Sequence, residues 1–139
     1  MAEPRRSRGL IDTSVVIDLD RVDAADLPEK IAVSAITLAE LVAGPLATAD
    51  PAERARRQDR LQRTEATFDP LPFDVGAARA YGRICAAVIG AGRKSRGRRA
   101  VDLLVAATAL AAGLPLYTCN PDDFAQLADL DVIAVKAQA

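Results

Sequence analysis

Short apolar runs that take turns with helical stretches are what most limits the folds open to this chain. Gly9-Leu10-Ile11-Asp12 reads as a short buried strand ending in an acid, and Ile31-Ala32-Val33-Ser34 as a second. Phe68 to Phe73 reads as a strand interrupted by Pro70 and Pro72, Leu114 to Thr118 as the next, and Val132 to Val135 as the last. Helical patterns fill the gaps. One spans Ser14 to Asp20, and one spans Thr37 to Ala43 and is ended by Gly44-Pro45. A third follows Asp50-Pro51-Ala52-Glu53, with an N-cap acid and proline at the first helical position. Asp74 caps a helix from Val75 to about Ala91, and Gly113 stops an Ala-rich helix begun near Arg99. Asn120-Pro121-Asp122-Asp123 opens a last helix through Leu127. Strands that alternate with helices belong to a parallel sheet covered on both faces. The expectation is therefore an α/β fold in three layers, a short parallel sheet of four to five strands flanked by helices on both faces. At 139 residues it forms one domain, 1–139, with residues 1–8 as a basic N-terminal extension.

The chain contains no histidine. That removes Ser-His-Asp and Cys-His catalysis and zinc sites with His ligands. Cys85 and Cys119 are too few for a four-cysteine zinc site and read as two reduced thiols. The N-terminus carries Arg5, Arg6 and Arg8 but no apolar stretch behind them, so no signal peptide is expected. No apolar run is long enough to span a bilayer. A cytoplasmic protein is expected, and its chemistry must rest on carboxylates, hydroxyls, Arg and Lys.

In a parallel α/β sheet the helix N-termini lie at the carboxyl edge of the strands, where ligands of such folds bind. The acids collect at that edge. Asp12 ends the first strand, Glu40 is expected in the first turn of the helix after the second, and Asp102 in the first turn of the Ala-rich helix. Asp122 and Asp123 open the helix after Thr118. Each acid also has an ordinary structural use. Asp12 can cap a helix, Thr37 and Glu40 fit a T-x-x-E capping box, and Asn120 with Asp123 fits a capping pair. Asp102 suits a helix dipole. Yet Asp12, Glu40 and Asp102 sit among apolar neighbours, and acids in such places are costly unless paired or metal-bound. Gathered carboxylates repel one another unless a cation intervenes. Oxygen donors without histidine select a hard ion, Mg²⁺ first and Mn²⁺ second. Calcium fits less well, because no D-x-[DN]-x-[DN]-G loop is present.

Four motifs then carry a resemblance. Leu10-Ile11-Asp12-Thr13-Ser14, the run from Ser34 to Leu41, the run from Asp102 to Ala109, and Thr118-Cys119-Asn120-Pro121-Asp122-Asp123-Phe124 resemble the PIN domain. More narrowly, they look like the VapC toxins of bacterial VapBC toxin–antitoxin systems. The similarity runs from about Gly9 to Val135 and leaves out the basic extension. It implies a metal-dependent endoribonuclease toxin held inactive by a cognate VapB-type antitoxin, and it implies a homodimer. It transfers the four acidic roles to Asp12, Glu40, Asp102 and Asp123, with Asp122 as the alternative fourth acid. Asp123 is favoured because it directly precedes Phe124, as in the family's N-x-x-[DE]-F pattern. Thr13, Ser14 and Asn120 would be polar supports beside the metal.

On this reading Asp12 and Asp102 are the principal metal ligands. Glu40 binds directly or through water, and Asp123 completes the site or orients the attacking water. Water attack then leaves 5′-phosphate and 3′-hydroxyl ends. A loop with Arg93, Lys94, Arg96, Arg98 and Arg99 leads into the helix bearing Asp102 and fits RNA phosphates, or is simply a solvated basic loop. The net charge is −1, so any nucleic-acid footprint must be local. The arginine-rich helix after Pro51 reads first as a solvated face with Glu53–Arg57 and Asp59–Arg63 pairs, and second as a clamp on RNA or antitoxin. Two rivals are a structure-specific DNA nuclease of PIN-like fold and an Mg²⁺-binding receiver domain. A receiver normally needs an acid pair after the first strand and a Lys after a late one, and neither is here.

Overall fold

The computed structural model describes residues 5–92 and 98–138. Four strands, β1 (Arg8–Ile11), β2 (Lys30–Ala32), β3 (Leu116–Thr118) and β4 (Val132–Ala134), form one sheet in the order β2-β1-β3-β4. All three pairings are parallel. The helices are α1 (Thr13–Ile17), α2 (Ala35–Ala43), α3 (Pro51–Thr67), α4 (Val75–Gly90) and α5 (Arg98–Ala112). The expected α/β architecture is therefore present, with four strands among the described residues.

Strand side chains alternate between the two faces and so feed two cores. Leu10 and Leu116 join the residues of α4 and α5, including Ile84, Val88, Leu103 and Ala106. Their neighbours Ile11 and Tyr117 join Val15, Leu41 and Leu61 on the face of α1, α2 and α3. Leu10, Ile11 and Leu116 are completely buried, each stabilising the fold by about 1.5–3 kcal/mol. This double burial is why the strands read as continuous apolar runs.

The caps follow local chemistry. Asp50 accepts from the Ala52 N–H with Pro51 at the first helical position, and Asp74 accepts from the Ala77 N–H. Gly113, at φ +68°, ends α5, and the Leu114 N–H reaches back to the Ala109 carbonyl at 3.0 Å.

Several boundaries differ from expectation. α2 starts at Ala35, because Ser34 accepts from the Ile36 N–H at 3.0 Å and is the N-cap. Thr37 is therefore interior to the helix, no T-x-x-E box forms, and Glu40 sits in the second turn. α5 starts at Arg98, which puts Asp102 just past its first turn. The Phe68–Phe73 segment makes only one bridge, Ser34 with Leu71. Leu71 turns both its N–H and its carbonyl to the chain around Ser34, bonding Val33 and Ala35, and Pro70 and Pro72 on either side of it have no N–H to offer a strand on the opposite edge. Pro121–Phe124 is a single 3-10 turn where a longer helix was expected, and the helix expected over Ser14–Asp20 splits into α1 and a 3-10 turn at Leu19–Arg21.

Candidate active site

β1 has β2 on one side and β3 on the other, so chain connections leave in opposite directions from the carboxyl ends of β1 and β3. That divergence opens a crevice. The Asp12 N–H extends the β1–β3 pairing by donating to the Tyr117 carbonyl at 3.0 Å, which fixes Asp12 at its mouth. A cleft of about 310 Å³ lies there, lined by Asp12, Glu40, Asp102 and Asp123 together with Thr13, Ser14 and Asn120. Ile17 and Phe124 supply its apolar wall. The four acids and three polar supports expected from sequence thus line one cleft. Asp122 is exposed and is not part of the lining, whereas Asp123 is.

Asp12 is the most buried of the four acids, 7% exposed. It is both a helix cap and a wall of the cleft. Its Oδ1 accepts from the Ser14 hydroxyl at 2.5 Å and from the Val15 N–H at 3.2 Å. Burial pushes its carboxyl up from the ordinary carboxylate range, against the lowering effect of bonds from Ser14, Thr118 and Val15. Ser14 also accepts from the Cys119 N–H at 3.1 Å, which ties α1 to the end of β3. Cys85 and Cys119 are both free thiols.

Glu40 is held by a chain of hydroxyls. Thr13 donates to Glu40 Oε1 at 2.6 Å, and the Thr13 and Thr37 hydroxyls lie 2.9 Å apart. Thr13 has one proton and gives it to the carboxylate, so Thr37 donates to Thr13. Thr37 is completely buried. A second hydroxyl bridge joins the helices carrying Glu40 and Asp102. Ser34 donates to Thr108 across 3.2 Å, because Thr108 spends its own proton on the Leu104 carbonyl. The sequence offered Thr37 only as a helix cap and gave no role to Thr108 or Thr118. Their signal was a hydroxyl in an otherwise apolar, core-facing stretch. Thr13→Val is expected to strand the Thr37 hydroxyl and free Glu40, costing about 1–3 kcal/mol. Urea unfolding checks this as a lower midpoint with an unchanged slope, and Thr13→Ser should restore most of it.

Asp123 is positioned by Arg99. An Arg99 Nη2–H donates to the Asp123 carbonyl at 2.6 Å, and Nη1 lies 3.8 Å from Asp123 Oδ1. The Arg99 Nε is buried without a partner among the described residues. Arg99, expected among the RNA contacts, is therefore turned inward toward the 3-10 turn that presents Asp123. Arg93, Lys94 and Arg96 lie outside the described residues, as does the side chain of Arg98.

The arginines of α3 are mostly structural. Arg54 donates to the Pro45 and Thr48 carbonyls and Arg57 to the Gly44 carbonyl, closing the end of the α2–α3 connection. Glu53 pairs with Arg56 and Arg57, and these guanidinium bonds hold its carboxyl below the ordinary range.

Among the described residues, no three of His, Cys, Asp and Glu stand close enough to form a finished metal cage. The donor set nevertheless suits a hard divalent cation. It consists of carboxylate oxygens around a cleft, one of them desolvated, with hydroxyls and an amide beside them.

A family model described as PIN domain matches residues 9–130. Ribonuclease VapC5 of Mycobacterium tuberculosis is 38% identical over 133 residues, covering 91% of this chain and 95% of the relative. Ribonuclease VapC8 of the same species is 39% identical over 110 residues, covering 78% of this chain and 96% of the relative. Among solved structures, VapBC-5 from Mycobacterium tuberculosis, a member of the VapBC family of toxin–antitoxin systems, matches with a TM-score of 0.80 at 38% identity, over 93% of this chain and 99% of that one. FitAcB from Neisseria gonorrhoeae matches with a TM-score of 0.69 at 27% identity, over 89% of this chain and 95% of that one. Sequence, sheet order and cleft agree, and the chain belongs to the PIN-domain family, within its VapC-type ribonucleases.

Proposed function

We propose that this chain is a divalent-metal-dependent endoribonuclease, the toxin of a type II toxin–antitoxin pair, using Mg²⁺ or alternatively Mn²⁺. The observation that carries the reading is the cleft at the switch point of the sheet, walled by Asp12, Glu40, Asp102 and Asp123. Two of its relatives are named ribonucleases, and one of its structural neighbours is a member of the VapBC family of toxin–antitoxin systems. The partners are an RNA substrate and a VapB-type antitoxin, and self-association as a dimer belongs to the same reading. So does a cytoplasmic place of action. Among the described residues no helix is long and apolar enough to cross a membrane.

Asp12 and Asp102 are the principal ligands in this reading, with Glu40 supporting them directly or through water. A hard dication bound there would neutralise phosphate charge and acidify water for attack. The Thr37–Thr13–Glu40 chain keeps one carboxylate turned into the cleft with its remaining oxygen available. Asp123, about half exposed at its side chain, orients the attacking water, and Arg99 sets its place. Asn120 lines the outer wall, where it can donate to a phosphate oxygen. Arg93, Lys94, Arg96 and Arg98 would contact the RNA backbone.

The test is a side-by-side cleavage assay on single-stranded RNA and flap DNA in Mg²⁺, Mn²⁺ and Ca²⁺. RNA should be cut in the first two ions, leaving 5′-phosphate and 3′-hydroxyl ends, and chelation should stop it reversibly. Faster cutting of flap DNA, or RNA cleavage untouched by chelator, would defeat the reading.

A further inference from the structure

We propose that the groove between α1 and α3 is a subsite for one nucleotide of single-stranded RNA beside the scissile bond. The proposal rests on the ribonuclease reading of the adjoining cleft.

The groove encloses about 230 Å³ and has an apolar floor of Val16, Leu19 and Phe68. Arg60 and Arg63 stand at its rim. Ile17 belongs to both the groove and the acidic cleft, so the two cavities share a wall and a strand can pass from one to the other. Ile17 is 44% exposed, a large apolar side chain standing between them. The volume falls below that of pockets that bury drug-sized ligands and suits a single base.

Chemistry narrows the occupant. Unpaired RNA bases are held on aromatic rings and guanidinium planes, and their phosphates by arginine. Phe68 and Arg60 supply both surfaces. Most arginines of α3 are already engaged: Arg54 and Arg57 on carbonyls, Arg56 on Glu53. Arg60 enters none of these bonds and lines the groove instead. Arg63 is divided between Asp59 at 3.0 Å and the largely exposed Asp20 at 3.4 Å. Such surface pairs are weak and yield to a phosphate. Arg63 is shared between two carboxylates, so the charge in the lining that can meet an anion is that of Arg60. The base would sit on the floor and its phosphate at the rim, on the path toward Asp12.

The experiment measures binding of a fluorescein-labelled pool of short single-stranded RNA to the inactive Asp102→Asn protein across a salt series. Adding Arg60→Glu should weaken binding about tenfold and lower the salt slope by about one. Arg56→Glu, an equal charge reversal on the exposed side of α3, should change binding less than twofold. In the active protein Arg60→Glu should raise KM more than it lowers kcat. Equal losses for Arg56→Glu and Arg60→Glu would reduce the effect to diffuse charge and overturn the subsite. So would unchanged RNA affinity, including the case in which Arg60→Glu spares RNA and breaks the complex with the co-expressed antitoxin. Wild-type cleavage with a silent Arg60→Glu sinks the groove alone. A wild-type protein that cuts no RNA sinks the ribonuclease reading and takes the groove with it.

Discussion

Asp12→Asn is expected to yield a protein that cuts RNA far more slowly yet melts at a higher temperature than wild type when divalent metal is absent. The amide keeps the oxygen that accepts from Ser14 and Val15, so the cap on α1 survives. What disappears is a buried negative charge. Burial raises the Asp12 carboxyl, so the folded state holds this proton more tightly than the unfolded chain. Stability from this group therefore falls as pH climbs from the ordinary carboxylate value through the raised one, and the penalty is fully present above it. Metal-free wild type should gain stability as pH is lowered into that window, and Asp12→Asn should lack that component. Mg²⁺ at a hundred times its Kd should stabilise wild type by about 2.7 kcal/mol and leave the variant unmoved. Cleavage should fall on the order of 10³-fold. Melting curves with and without Mg²⁺ decide the matter. A variant that melts lower than wild type, or that keeps the Mg²⁺ shift, contradicts the role given to Asp12.

Gly9→Val should destabilise the fold by about 3 kcal/mol and lower Tm by about 10 °C. A Cβ at Gly9 would lie 2.4 Å from Tyr117 Cε1, 2.9 Å from Tyr117 Cδ1 and 3.1 Å from Pro28 Cγ. Tyr117 is 3% exposed and belongs to the core under α1–α3, so its ring has little room to retreat. Moving it also disturbs the Tyr117 carbonyl that receives the Asp12 N–H, so cleavage should fall along with stability. Urea unfolding should give a lower midpoint at unchanged slope. An unaltered midpoint would mean that the ring finds another rotamer without strain.

The layer order and the acids were legible in the sequence for one reason. Strands buried on both faces are apolar throughout, so Asp12 after Leu10-Ile11 stands out, and a parallel sheet sends every such strand end to one edge. Capping was legible where acid and proline coincide, as at Asp50-Pro51, and where an acid directly precedes a helical run, as at Asp74. It misled at Thr37, where a Thr and Glu three apart imitate a capping box, while Ser34 makes the cap and Thr37 feeds its proton toward Glu40. A buried hydroxyl and a capping one look alike until the partner is known. Arg99 was read as one charge in a basic run. Its engagement with Asp123 spans 24 positions, and no local pattern announces such a contact.

The sheet order has a consequence for synthesis. β1 is made early, but its neighbour β3 comes about a hundred residues later, and Asp123 follows still further on. Contacts of such long sequence separation form late. On the ribosome the growing polypeptide is therefore harmless to the transcripts around it until nearly all of it has emerged, which leaves time for a neutralising protein to be waiting.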